Sequence, residues 1–297
     1  MAKKRSLRGK INLFLCILLV FIIFPVFIIS FFGRIEVEKL FLQKPEAAIA
    51  EIEAKLPQIV AKQINIHMPE ELIKAQSVIA RTQLIAAQEK EEALPTEFTI
   101  LELQELWGEQ YENYYQKLQT LIGATAGEIL RYKENPIYAA YHQVSAGNTR
   151  TMSEYYEKSD MPYLQGVACH EDTSAEGYLN VYFWTKEEFK NLCKGIFPEE
   201  VIESADDIQI QKRDSTGYVL QVQVGQTLYE GEVFRKKLNL PSACFEMTLL
   251  EEDVRIVTMG QGHGFGLSQQ MGKVLAEEGK TYREILEYFY KGVTILE

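Results

Sequence analysis

The chain has little that would staple it together or bind it to nucleic acid. Cysteine occurs four times in 297 residues. Cys16 lies in an apolar run, and Cys169, Cys193 and Cys244 are far apart, with no C-x-x-C spacing. No disulfide framework can be read from them, and three outside the apolar run is an odd number, so at least one is free or pairs between chains. Basic charge is also short: 31 Lys and Arg against 42 Asp and Glu give a net −11. Lys3, Lys4, Arg5, Arg8 and Lys10 all precede residue 11, no acid occurs before Glu36, and without those five the chain carries −16. Nucleic-acid binding needs a basic face, so this balance argues against it and leaves a neutral carbohydrate open. His142, Cys169 and His170 are zinc-type donors, but their spacing matches no standard site, so no metal is expected. No cofactor motif, internal repeat or low-complexity tract is present.

A long apolar run stands at the start. Residues 11–32 are apolar apart from Asn12, Pro25 and Ser30. As a helix they span roughly 33 Å, close to the hydrocarbon thickness of a bilayer. Basic residues before the run and Glu36 and Glu38 after it place the N-terminus in the cytoplasm. A cleaved signal peptide is the competing reading, but the run is long and no A-x-A-like site follows. The expected organisation is a basic cytoplasmic tail at 1–10, an uncleaved transmembrane anchor at 11–32, a polar helical stalk at 33–56 and an extracytoplasmic domain at 57–297. The length and the 46% hydrophobic content allow that domain a sizeable core.

Within the domain, Pro69 with Glu70 and Glu71 suits a helix start. Leu72, Ala75, Ile79, Ala80, Ala86 and Ala87 form an apolar stripe, with Lys74, Ser77, Arg81 and Gln88 on another face. On pattern alone Lys74 and Arg81 are the polar edge of a buried helix. Residues 93–122 turn to Leu, Glu, Gln and Tyr and predict a helical excursion, with Trp107, Tyr111, Tyr114 and Tyr115 available for packing or for stacking on sugar rings. Strands are expected at 128–133 and 137–142, turning at Asn135-Pro136, and again from 208 to 234 with turns at 215–217 and 224–225. Thr185 with Glu188, and Thr281 with Glu284, form capping boxes for short helices. The predicted class is α+β: an N-terminal transmembrane helix, then a mixed helix and antiparallel-sheet domain.

The most unusual stretch is residues 260–269, GQGHGFGLSQ, in which glycine alternates with other residues around His263. Glycine at every second position clears one side for a close neighbour or a ligand, and Ser268 can cap a following helix. Alternatively it is a glycine-rich turn whose histidine satisfies one hydrogen bond.

Three blocks in this order, 69–82 (PEELIKAQSVIART), 139–149 (AAYHQVSAGNT) and 260–269, resemble the stage II sporulation protein D family, which includes amidase-enhancer proteins. The closing 279–292 (GKTYREILEYFYKG) is similar to that family's C-terminal helix, so the likeness runs from about residue 57 to 297. The resemblance implies a membrane-anchored, outward-facing lytic transglycosylase that cuts stem-peptide-denuded glycan strands of peptidoglycan during engulfment in sporulation. In that chemistry one glutamate serves as general acid and then base, and the sugar's C6 hydroxyl attacks to leave a 1,6-anhydro end. Implied partners are glycan strands, the membrane, and other wall hydrolases of the engulfment machinery.

The family glutamate stands eleven residues before the lysine that is Lys74 here, a position held by Gln63. A primary amide cannot release a proton near neutral pH, and general acid–base catalysis contributes roughly 10²–10⁴ in rate. Glu70 and Glu71 sit where a helix N-terminus lowers a carboxyl pKa, the reverse of what a glycosidic acid needs. His142 and His263 are the other candidate proton donors. The resemblance places Lys74, Arg81, Tyr141, His142, Ser145, His263 and Ser268 along the glycan cleft, with Gln143, Val144 and Ala146 departing from the family loop. Cleavage and non-catalytic wall binding or amidase enhancement therefore both stay open. The side chains of Gln63, Lys74, Arg81 and His263 are expected to converge on one cleft.

Overall fold

A computed structural model describes residues 50–296. The predicted anchor at 11–32 and the stalk up to residue 49 lie outside the described residues. Among the described residues no helix is long and apolar enough to cross a membrane. The chain divides into two units, 1–54 and 55–297. The described part of the first is helical, and the second is a mixed α+β unit with antiparallel sheets.

Residues 50–63 are helical (α1) and end at Gln63. A turn follows in which the Asn65 Oδ1 accepts from the His67 N–H at 2.9 Å, a local bond that competes with continued helix. Helix α2, Glu70–Glu89, begins after Pro69 with Glu70 and Glu71 in its first turn. Of the expected stripe, Leu72, Ala75, Ile79, Ala80 and Ala87 are buried, but so are Ser77 and Arg81 from the face expected to be polar. Each has a partner that permits this. The Ser77 hydroxyl donates to the Ile73 carbonyl at 2.8 Å, and Arg81 donates to the Glu128 and Ile122 carbonyls at 3.1 and 3.4 Å. A buried cation is tolerated when its donors are satisfied.

Two helices, α3 (Ile100–Trp107) and α4 (Tyr111–Gly123), fill the segment after α2. Strand β1, Ile129–Tyr132, pairs antiparallel with β2, Asn135–Pro136, and with β11, Thr294–Leu296. Asn135-Pro136 is thus a paired strand rather than the turn, which falls at Lys133 (φ 57°) and Glu134. Strand β3, Tyr141–His142, pairs in parallel with β10, Leu267–Ser268, a contact between distant segments.

The rest is built on two three-stranded antiparallel sheets, with a short helix α5 (Met152–Tyr155) preceding them. One sheet has the order β4 (Leu179–Thr185), β9 (Asp253–Met259), β8 (Phe245–Leu249). The other runs β5 (Ile208–Arg213), β6 (Val219–Val224), β7 (Thr227–Glu230). Phe189, Phe197, Val222, Phe234, Phe245 and Ile256 belong to one buried cluster joining these sheets to α6 (Lys186–Ile196) and α7 (Gly231–Lys237). The expected strand to Phe234 stops at Glu230, where the chain becomes α7 and buries Phe234 from a helix instead. Helices α8, Gln269–Glu277, and α9, Tyr282–Phe289, close the unit. Both expected capping boxes are formed, and Ser268 caps α8 by accepting from the Met271 N–H.

Candidate functional site

The glycine–histidine stretch sets the geometry. Gly260, Gly262, Gly264 and Gly266 all have positive φ, between 67° and 112°. A Cβ on Gly262 would lie 2.6 Å from the His142 Cβ, and one on Gly266 would run into the Ala140 carbonyl oxygen. The alternation therefore serves both conformation and close approach: side chains are incompatible with this path and with its contact to β3. The Val144 and Gln261 backbones exchange hydrogen bonds at 3.1 and 2.7 Å, extending that contact.

His142 and His263 meet here with ring centroids 5.8 Å apart. The Phe265 backbone joins them. Its carbonyl lies 3.0 Å from the His142 Nδ1, and its N–H donates to the His263 Nδ1 at 3.0 Å. Neutral His142 therefore carries its proton on Nδ1, and neutral His263 on Nε2. Burial, then the charge of His263, pulls the His142 imidazole down to about 3. Burial, then Arg150, Arg235 and Lys236, pulls His263 down to about 4. Both are uncharged near neutral pH.

Three cavities, of about 530, 350 and 350 Å³, share Lys62 and Gln63 in their walls. They form a trough with Gln63 at the junction. Phe98, Leu106, Trp107 and His67 line the first, so the helical excursion supplies an aromatic wall. Gln83, Tyr138 and Tyr141 line the second and third, and His142 and His263 line the third. Glu92, in the second, is the sole carboxylate among all three linings.

Gln63 is held by other glutamines. Its Oε1 accepts from the Gln76 Nε2 at 2.7 Å, and its Nε2 donates to the Gln83 Oε1 at 2.9 Å. Gln83 in turn donates to the Ala139 carbonyl at 2.7 Å. The Gln269 Nε2 donates to the Gln63 carbonyl at 2.8 Å and to the Gln76 Oε1 at 3.2 Å. Gln76 and Gln83 are seven residues apart on α2 and so share a face. In this way α1, α2, the residue 139 segment and the start of α8 are tied at one point.

Of the eight residues singled out in the sequence, Gln63, Tyr141, His142 and His263 line the trough. Lys74, Arg81, Ser145 and Ser268 line none of its three cavities. Lys74 is paired with Glu71 at 2.6 Å. Arg81 is 1% exposed, its guanidinium facing the carbonyls that end α4 and precede β1. Convergence thus holds for Gln63 and His263 but not for Lys74 and Arg81, because α2 turns its glutamine face to the trough. Ser145 and Ser268 are fully buried and meet at Asp172, whose Oδ2 accepts the Ser145 N–H at 2.7 Å and the Ser268 hydroxyl at 2.6 Å. Burial raises the Asp172 carboxyl above its ordinary range, opposed by those bonds.

Sequence reasoning missed Gln76, Gln83, Gln269, Asp172 and Arg150. The seven-residue spacing of Gln76 and Gln83 was the available signal; Asp172 and Arg150 had none. Arg150 is fully buried, pairs with Asp214 at 2.6 Å, donates to the His263 carbonyl at 3.2 Å and lies over the rings of Phe265, Tyr218 and Tyr155. Its own N–H donates to the Gly264 carbonyl at 2.8 Å. Cys169, Cys193 and Cys244 are free and buried, and burial pushes their thiols up to about 12, 12 and 11.

Fold and site together define an α+β domain with an amide-lined, nearly carboxylate-free trough assembled from distant segments. Residues 46–132 match the family model described as Stage II sporulation protein. The chain is 29% identical over 255 residues to Stage II sporulation protein D of Bacillus subtilis (strain 168), covering 80% of this chain and 72% of that protein. The protein of the same name from Bacillus amyloliquefaciens is likewise 29% identical over 254 residues, at the same coverage. Both likenesses support membership of the stage II sporulation protein D family.

Proposed function

We propose that this protein works on the cell wall during sporulation by binding denuded glycan strands of peptidoglycan in the trough around Gln63, without cutting them. Family membership supports the sporulation-related wall function. The observation that carries binding over cleavage is the trough's chemistry: amides, aromatic rings and neutral histidines, with an amide at the junction where the resemblance puts a proton donor. Amides suit sugar hydroxyls as both donors and acceptors, and rings suit the apolar faces of sugars. Neither histidine is an imidazolium near neutral pH, since burial pulls them down to about 3 and about 4, so neither serves as the acid. Lys62 supplies a cation for muramic carboxylates. The apolar run at 11–32 tethers the domain on the outer side of the membrane, from where it presents glycan to wall hydrolases.

The test is incubation of the protein with stem-peptide-free glycan strands, following both sedimentation and release of 1,6-anhydro ends. Strands should co-sediment and stay intact. Release of anhydro ends at a rate that falls with Gln63→Ala would overturn the reading in favour of an enzyme. Failure of strands to co-sediment would overturn the binding itself.

A further inference from the structure

We propose that the glutamines around residue 63 form a one-way relay that favours at that position a group with a hydrogen on one side and a lone pair on the other, so that a carboxyl placed there holds its proton at least tenfold more tightly than an ordinary glutamate. This goes beyond glycan binding and does not depend on it.

The direction of the relay follows from its two ends. Backbone carbonyl oxygens only accept, so Gln83 must turn its nitrogen to Ala139 and Gln269 must turn its nitrogen to the carbonyl of Gln63. With its nitrogen committed, Gln83 offers its oxygen to residue 63, which must donate. Gln63 then has only its oxygen for Gln76, which must donate in turn. Gln76 is left with its oxygen for Gln269, which agrees with the direction fixed at the far end. Amide orientation is ordinarily ambiguous, but here two independent carbonyls fix it and agree.

A glutamate has the same shape as glutamine. Ionised, it is an acceptor only, and its second oxygen would face the Gln83 oxygen 2.9 Å from the present donor. Gln83 cannot turn over to relieve this, because its oxygen would then face the Ala139 carbonyl. Protonated, the same glutamate accepts from Gln76 and donates O–H to Gln83, leaving every bond of the relay intact. Hydrogen bonding to the neutral form disfavours the charged one. Gln76, 0% exposed, and Gln83 are therefore positioning residues that set the polarity of position 63.

The experiment is titration of the full-length Gln63→Glu chain carrying ¹³C-labelled glutamate, following the one carboxyl resonance absent from the parent. Its midpoint should lie above about 5.3, a tenfold or greater gain in proton affinity over an ordinary glutamate. Adding Gln83→Met removes the acceptor and should return the midpoint toward the ordinary range. A Gln63→Glu midpoint at or below the ordinary value overturns the proposal. So does a raised midpoint that Gln83→Met leaves in place, since burial alone would then be the cause. If Gln63→Glu fails to fold, the parent's ¹⁵N glutamine side chains decide: Gln83→Met should shift the Gln63 amide protons, and an unmoved signal overturns the relay. Glycan co-sedimentation by the parent chain is scored separately, so either proposal can fail alone.

Discussion

Two constellations hold the glycine–histidine segment, and they are made of opposite materials. At His263 and Gly264 the segment is gripped by Arg150, whose charge is matched by Asp214 with side-chain exposures of 0% and 2% and covered by three aromatic rings. At its other end Gln269 reaches Gln63, and every side-chain bond there is between neutral amides or from an amide to a backbone carbonyl. Ions are used where solvent and ligand are kept out; amides are used where the wall is open to a cavity. The reason is energetic. A buried ion pair is rigid but costly to break, whereas amides keep a second hydrogen or lone pair for a ligand at little desolvation cost.

The largest test of this contrast is Arg150→Ala, which leaves the Asp214 carboxylate buried and unpaired. A loss of about 3–5 kcal/mol in denaturant unfolding is expected, and a loss under about 1 kcal/mol would remove Arg150 from its structural role.

A second test uses acid. His142 titrates at about 3 when folded, against about 6.5 in an unfolded chain. Between those values the unfolded chain binds a proton that the folded chain refuses, so stability falls as pH drops from about 6.5 toward 3. The slope from one such group is up to about 1.4 kcal/mol per pH unit. His142→Gln should flatten the acid limb by that much, and an unchanged limb would mean that His142 is solvated in the fold.

Next in size is Trp107→Ala at the aromatic wall, expected to weaken strand binding by about 1 kcal/mol, roughly fivefold, while stability holds. Equal binding would confine the ligand to the two smaller cavities. The smallest effect is predicted for Lys74→Ala, which removes a partly exposed pair with Glu71 worth about 0.5 kcal/mol or less. Strand affinity should not change; a clear loss would extend the trough to the start of α2.

Much of the architecture was legible because local signals agreed with the fold. Capping boxes at Thr185 and Thr281, the helix starting after Pro69, the turn at 215–217 and the turn expected at 224–225, which falls one residue later at 225–226, all rest on neighbours within a few residues. The glycine alternation was legible as a demand for close approach, although not what approaches, since β3 lies over a hundred positions away. Arg81 defeated the pattern because its burial depends on distant carbonyls that periodicity does not show, and Ser77 because its hydroxyl is satisfied by the Ile73 carbonyl of its own helix. The glutamines of α2 were overlooked for a similar reason: an uncharged polar residue on a helix face looks solvated until a partner from another segment is seen.

The buried thiols carry a last consequence. Burial pushes the Cys169, Cys193 and Cys244 thiols up to about 12, 12 and 11, so they hold almost no thiolate near neutral pH, and thiolate is the form that attacks disulfides and oxidants. None of the three is bonded to another. Among the described residues the fold is therefore held by packing and hydrogen bonds rather than by cystine bridges, and the three thiols are shielded from the redox poise around them.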